Sequence, residues 1–306
     1  MNYDQAGKSP SLSKRQIEVL SGLSAGFSTT ILTHPLDVIK IRLQLLSETS
    51  KTRFFALRNV IARVHESAAV EYKKSNGRFR LPYVVRQYYR GLTPNLVGNI
   101  SAWSLYFTLY AEFKGMIKTS NATVNYFALS SLAGISTSLL TNPIWVLKTR
   151  ILGTSRTETN AYKSIWDGIK QIYAKEGILS FWKGTIPSLF LVFQGSLQFT
   201  FYDHLKNWFQ TGDERKLSTQ QYIYSLALSK ILSMSVMYPS QVVKSRLQNY
   251  NLTGEPRNIQ SVCKNIWKNE GQWRGFYKGI SANIFRVLPA TCITFVVYES
   301  VKNNLA

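Results

Sequence analysis

Apolar positions along this chain gather into six long stretches, roughly 17–45, 93–118, 124–152, 185–210, 218–248 and 280–304, in which they mix with small and hydroxyl-bearing residues. Each stretch is long enough to cross a bilayer as a helix, which takes about 20 residues. None is uniformly apolar, and the mean hydropathy of the chain is −0.10. Polar groups inside a membrane are costly unless they face protein or water. Six half-polar spans therefore predict an all-α bundle around an aqueous cavity. Small residues at Ser21-Gly22-Leu23-Ser24-Ala25-Gly26 and Ser130-Ser131-Leu132-Ala133-Gly134 would let such helices approach closely.

The stretches carry a repeat. Pro35-Leu36-Asp37-Val38-Ile39-Lys40-Ile41-Arg42-Leu43-Gln44, Pro143-Ile144-Trp145-Val146-Leu147-Lys148-Thr149-Arg150 and Pro239-Ser240-Gln241-Val242-Val243-Lys244-Ser245-Arg246-Leu247-Gln248 lie 108 and 96 residues apart. An aromatic-basic-Gly element follows each one: Tyr89-Arg90-Gly91, Trp182-Lys183-Gly184 and Tyr277-Lys278-Gly279. The second and third are preceded by Glu176-Gly177 and Glu270-Gly271, which the first lacks. Each unit closes on a third element: Tyr202-Asp203-His204-Leu205-Lys206, Tyr298-Glu299-Ser300-Val301-Lys302 and the degenerate Tyr110-Ala111-Glu112-Phe113-Lys114. A fixed period of self-similarity means a fold built from repeats. Three units, 15–120, 121–215 and 216–306, are expected to form one integrated transmembrane domain.

Charge first suggests another class. The balance of 37 Lys plus Arg against 16 Asp plus Glu is that of a nucleic-acid binder. Yet the connections 46–92, 151–183 and 249–278 hold 10, 5 and 5 basic residues against 3, 3 and 2 acidic ones, while the alternate connections are short and nearly balanced. Positive charge on every second loop is the pattern of a multi-pass membrane protein. A nucleic-acid partner or a soluble helical repeat gives no reason for it. Cys263 and Cys292 have no paired spacing, and His34, His65 and His204 are scattered, so neither a disulfide framework nor a metal site is implied. No nucleophile–base order, P-loop or dinucleotide fingerprint points to an enzyme. Residues 1–16 show no cleavable targeting segment, so any address is expected within the mature chain.

The motif spacing places Asp37, Lys40 and Gln44 on one helical face, with Arg42 pointing elsewhere, toward a basic aqueous edge. Pro35 removes a backbone donor and frees a carbonyl that protein or water must satisfy. An intrahelical Asp37–Lys40 pair explains one repeat but not the threefold recurrence.

The pattern resembles the mitochondrial carrier family over the whole chain. The resemblance implies six transmembrane helices in three pseudo-threefold repeats, with short surface helices on the matrix side. It also implies one central site reached alternately from each face, a matrix gate on the odd helices and a cytoplasmic gate on the even ones. The matrix gate falls on Asp37, Lys40, Lys148, Gln241 and Lys244, with Gln44 and Gln248 as braces below it and Leu152 at the brace position of the second repeat. Trp145 and Gln241 stand where the family has acids. The family geometry then pairs Asp37 with Lys148, Trp145 with Lys244 and Gln241 with Lys40. The cytoplasmic gate falls on Lys114, Asp203, Lys206, Glu299 and Lys302, with Ala111 supplying no acid. Substrate contacts fall on Gly98 and Asn99, Phe190 and Leu191, and Arg286, with Trp145 available to stack on a ring.

Surplus cationic charge in a cavity concentrates anions, and the fork of Arg286 suits phosphate or carboxylate. The wording of the second-repeat motif, of Tyr89–Asn99 and of Pro289–Phe295 is most similar to the subgroup carrying folate, FAD, NAD and pyrimidine nucleotides. The expectation is a carrier of FAD as transported substrate, with no cofactor of its own. It would act as a monomer in the mitochondrial inner membrane, with basic loops facing the matrix and anionic lipids as partners. A tethered nucleic-acid-binding protein and a flavin-dependent membrane enzyme are the readings from other classes.

Overall fold

The computed structural model describes residues 13–47, 53–75, 78–116, 122–159, 161–209, 218–249 and 258–305; most of residues 1–16, where no targeting segment is expected, lies outside these. Regular structure among the described residues is entirely helical. Long helices α1 (Lys14–Leu45), α4 (Leu92–Met116), α5 (Ala122–Gly153), α9 (Thr219–Gln248) and α12 (Ile280–Leu305) coincide with five of the six expected stretches. The remaining stretch is divided at Phe193 into α7 (Thr185–Val192) and α8 (Gln194–Phe209). Shorter helices occupy the connections: α2 (Arg53–Ser75) and α3 (Leu81–Tyr88), α6 (Ile165–Glu176) with a 3₁₀ turn at Ile178–Trp182, and α10 (Ile259–Asn269) with α11 (Trp273–Phe276).

Local chemistry explains the boundaries. Capping boxes start α1 and α9: Ser13 and Ser218 accept from the amides of Gln16 and Gln221, whose side chains reach back to the cap amides. Ser164 caps α6, and Gly177, at φ 78°, ends it. The three motif prolines do not interrupt their helices. Pro143 leaves the Leu139 carbonyl without its helical donor, and Trp182 Nε1 supplies one at 3.1 Å. The aromatic of that aromatic-basic-Gly element thus repairs the proline's own defect.

The residue before each proline performs a related task. His34 Nε2 meets the Arg90 carbonyl at 3.0 Å, Asn142 Nδ2 donates to that of Lys183 at 3.2 Å, and the Tyr238 hydroxyl to that of Lys278 at 3.0 Å. His34 Nδ1 also lies 3.2 Å from Asn95 Nδ2, so a neutral ring protonated on Nε2 satisfies both contacts. It is a structural histidine.

Each repeat then packs on the next. Gly91, Gly184 and Gly279 adopt φ 77°, 79° and 82°, a region that other residues enter at a cost. They also sit where a side chain would collide. A Cβ on Gly184 would lie 3.1 Å from the Lys244 carbonyl, one on Gly279 3.2 Å from that of Lys40, and one on Gly91 would meet Leu152. The even helices pack on odd neighbours (α4 on α5, α8 on α9, α12 on α1), while α1, α5 and α9 converge on one another. At that convergence Val38, Val146 and Val242, each three residues past its proline, are completely buried.

Among the described residues, one helical stretch, Trp273–Leu305, is both long and apolar enough to cross a membrane by composition. The polar side chains that α1, α5 and α9 turn inward lower the average of those helices.

Candidate functional site

On α9, Lys230, Met234, Gln241, Lys244, Ser245 and Gln248 recur at helical spacing and form one face. That face lines a cavity of about 340 Å³ inside the bundle. From α1 come Lys40, Ile41 and Gln44, and from α5 Trp145, Lys148 and Thr149. Leu191 precedes the break between α7 and α8, Gln194 follows it, and α12 adds Asn283, Arg286 and Val287. Five of the lining residues are cationic and none is acidic.

The floor of the cavity is closed by contacts between repeats. Lys40 Nζ donates to Gln241 Oε1 at 3.3 Å, as the motif positions require. Trp145 lies under two cations, Lys148 Nζ at 5.0 Å and Lys244 Nζ at 6.0 Å from its ring centre, so the expected Lys244 contact is present and shared. Asp37 departs from expectation. Its ion pair is with Arg286, Nε to Oδ1 at 3.2 Å, and Asn95 Nδ2 donates to its other oxygen at 3.1 Å. Lys148 is drawn over the Trp145 ring instead, and α12, packed along α1, brings the arginine to the carboxylate. The partner that Arg286 lacks on its own helix comes from the first repeat.

Beneath the gate, Gln44 donates to the Tyr238 hydroxyl at 3.1 Å and accepts from Ser245 at 2.8 Å. Gln248 accepts from Thr149 at 2.9 Å and donates to Asn142 at 3.3 Å. Both glutamines tie odd helices together. Leu152, at the matching position, is buried under Gly91.

Arg42 does not reach an aqueous edge. It donates to the carbonyls of Leu152 and Thr154 at the end of α5, at 3.2 and 3.3 Å. Arg150 likewise caps α9 through the Gln248 carbonyl at 2.9 Å, and Arg246 caps α1 through those of Gln44 and Leu46. Each helix end is a concentration of unpaired carbonyls, which a guanidinium from the neighbouring repeat satisfies. Arg150 also pairs with Glu176, and Arg246 with Glu270, so the Glu-Gly elements anchor the capping arginines. Lys183 and Lys278 join the same carboxylates.

Of the expected contact residues, Trp145, Leu191 and Arg286 line the cavity. Gly98 is buried beneath the Trp145 ring, where a Cβ would lie 3.2 Å from its carbons, so it seats the ring. Asn99 donates to Asn95 at 3.4 Å and to Thr30 at 3.5 Å. Phe190 is 57% exposed and outside the lining; Gln194, one turn on, takes its place and accepts from Gln241 at 3.3 Å. Motif matching had no handle on Lys230, Gln194 or Asn283. The only sequence signal for Lys230 is its register on α9, 14 residues before Lys244.

At the other end of the bundle Lys114 and Asp203 are exposed, and Lys206, Glu299 and Lys302 half-buried. Among the described residues no ion pair joins these five, and Lys302 Nζ rests 5.6 Å from the Tyr298 ring centre. The bundle is thus tied at the cavity floor and open above it.

The family model for mitochondrial carrier proteins matches residues 14–76, 119–213 and 215–306. The chain belongs to that family. As a mitochondrial carrier it is a transporter, and its members' fold is a six-helix membrane bundle. Among curated relatives, the mitochondrial FAD carrier protein FLX1 of Saccharomyces cerevisiae is 38% identical, covering 95% of this chain and 97% of its own. The chloroplastic folate transporter 1 of Arabidopsis thaliana is 32% identical over 93% of this chain and 94% of its own. The mitochondrial nicotinamide adenine dinucleotide transporter 1 of Saccharomyces cerevisiae is 30% identical over 96% and 78%.

Proposed function

We propose that this carrier moves FAD, or a related flavin nucleotide, across the mitochondrial inner membrane by alternating access. The observation that carries the reading is the cavity lining: five cations, no acid, and one large aromatic ring. Such a wall attracts phosphate and offers Trp145 to a planar ring. The whole-length relative named as an FAD carrier supports the same cargo.

In this reading the three repeats, 15–120, 121–215 and 216–306, form one unit that spans the bilayer six times as a monomer. Its basic connections face the matrix and anionic lipid. Lys40, Lys148, Gln241, Lys244 and Asp37, braced by Gln44 and Gln248, are the matrix gate. Lys114, Asp203, Lys206, Glu299 and Lys302 close the cytoplasmic side when the bundle inverts.

The Asp37–Arg286 pair gives a route from binding to opening. A phosphate entering the fork of Arg286 competes with the carboxylate for the same donors. Asp37 is then released, and its ion pair between α1 and α12 at the gate is lost. The cargo itself thereby supplies the free-energy difference that opens the floor.

Purified protein in liposomes tests this reading with a panel of FAD, FMN, riboflavin, folate, NAD and pyrimidine nucleotides. Saturable uptake of FAD above the others, by protein that is colourless when purified, is the expected result. Flux of folate or NAD without FAD would overturn the flavin assignment; a yellow protein turning over a redox substrate would overturn transport.

A further inference from the structure

Nine residues before the motif proline stand Gly26 in the first repeat, Gly134 in the second and Lys230 in the third. A Cβ on Gly26 would meet nothing within 4 Å, and the space beside Gly134 is filled by Val192. Neither repeat has a use for a long side chain here, so Lys230 is not demanded by the fold. It stands half-buried on the cavity wall with Arg286 across from it on α12. Among the described residues its ammonium has no hydrogen-bond or ion-pair partner. Asp37, the acid that pairs with Arg286, also accepts from Asn95. An ammonium held inside a membrane bundle without a counter-charge is costly and marks a functional position.

We infer that Lys230 is a specificity residue that takes the second phosphate of a diphosphate-bridged dinucleotide whose first phosphate lies in the fork of Arg286. The inference rests on the flavin-nucleotide reading above. A diphosphate ester carries one charge on each of two neighbouring phosphorus centres. The planar guanidinium covers one of them in bidentate fashion, and a compact ammonium with three donors suits the other. A monophosphate keeps its charge on a single phosphorus, which the fork holds alone. Lys230 therefore separates FAD from FMN, whereas Arg286 is needed for both.

The test is the concentration dependence of FAD and FMN uptake by the reconstituted full-length protein and three variants. Lys230→Gly installs the residue of the other repeats, Lys230→Gln avoids a glycine inside a helix, and Lys230→Arg restores the charge. Loss of one charge-assisted contact raises the KM for FAD about tenfold in the Gly and Gln variants. The KM for FMN moves by less than about twofold, and Lys230→Arg keeps most of the preference. Equal shifts for FAD and FMN would make Lys230 a source of general positive potential and overturn the inference, as would no shift in either. A wild-type protein that carries NAD but not FAD overturns the flavin reading alone. The same comparison then runs between NAD and nicotinamide mononucleotide. A wild type that carries only folate, which has no diphosphate, overturns both.

Discussion

Only Ile41 separates Lys40 from Arg42, yet they belong to regions that obey different rules. In the ring formed by the ends of α1, α5 and α9 the same capping contact recurs in all three repeats. Arg42, Arg150 and Arg246 each cap the following odd helix, and Gly91, Gly184 and Gly279 each admit its close approach. In the cavity just above, equivalence is lost: Asp37, Trp145 and Gln241 share one register position, and Gly26, Gly134 and Lys230 another. Contacts that hold repeats together recur because each repeat meets its neighbour in the same way. A cargo without threefold symmetry can be recognised only by residues that break the pattern. Symmetry in this chain marks what holds the bundle, and its failure marks what binds.

The largest expected effect lies in the ring. Arg150 is fully buried, and its removal leaves the end of α9 without that donor and the Glu176 carboxylate with Lys183 alone. Breaking such a buried pair costs about 3–5 kcal/mol, so Arg150→Ala is expected to unfold in detergent at a markedly lower temperature than wild type. Arg42 makes the same capping contacts but has no glutamate, because the first repeat lacks the Glu-Gly element. Arg42→Ala is expected to lose only about 1–2 kcal/mol, the value of its hydrogen bonds. Equal losses in the two variants would show that the caps, and not the glutamates, set the stability of the ring.

Next in size is the bridge between the regions. Arg286→Ala removes the donor for the cargo's anion, and flux is expected to fall about ten- to a hundredfold while the protein still folds. Arg286→Lys keeps the charge without the fork and retains part of the activity. Asp37→Asn is expected to impair uptake more than Gln241→Ala, since Asp37 holds the gate's ion pair and Gln241 a neutral contact. Near-normal FAD uptake by Arg286→Ala would move the anion site elsewhere. Equal, small effects from Asp37→Asn and Gln241→Ala would remove the asymmetry claimed for the gate.

The motif landmarks themselves were legible in the sequence, because they recur at a fixed period, and the contacts of Lys40 with Gln241 and of Lys244 with Trp145 follow from motif position alone, whereas the capping of α5 by Arg42 did not. What escaped was unrepeated or depended on the path of a neighbouring helix. Arg286 finds Asp37 only because α12 lies along α1, and a motif-by-motif pairing assigned that carboxylate to Lys148. Lys230 was hidden for the converse reason: a position read as glycine in two repeats draws no attention in the third. Counting along one helix placed Phe190 and Leu191 on the cavity; Leu191 lines it, but past the division at Phe193 it is Gln194 that joins it, not Phe190.

A smaller effect is expected at Trp145, where the two regions share a residue. Its ring carries Lys148 and Lys244 and rests on Gly98. Each cation–π contact at such a site contributes about 0.5–2 kcal/mol, and both lysines are still present when the ring is removed. Trp145→Leu is therefore expected to change relative uptake of FAD, NAD and folate a few-fold while the rate with the preferred cargo stays close to wild type. A uniform fall for every cargo would assign the ring to gate packing alone.

The last effect is a pH dependence, carried by the carboxylate that anchors Arg150. Burial pushes the Glu176 carboxyl upward, but hydrogen bonds from Arg150 and Lys183 and the attraction of both cations outweigh it and hold the group down to about 2 from its ordinary 4.5. A depressed carboxylate contributes stability that is complete above its unfolded value and disappears as pH falls through its folded one. The melting temperature of wild type should exceed that of Glu176→Gln by a constant margin from neutral pH down to about 5, and the margin should shrink between about 4.5 and 2. A margin that shrinks already near neutral pH would mean that Glu176 is not held by Arg150, and the capping ring would then lose its anchor in the second repeat.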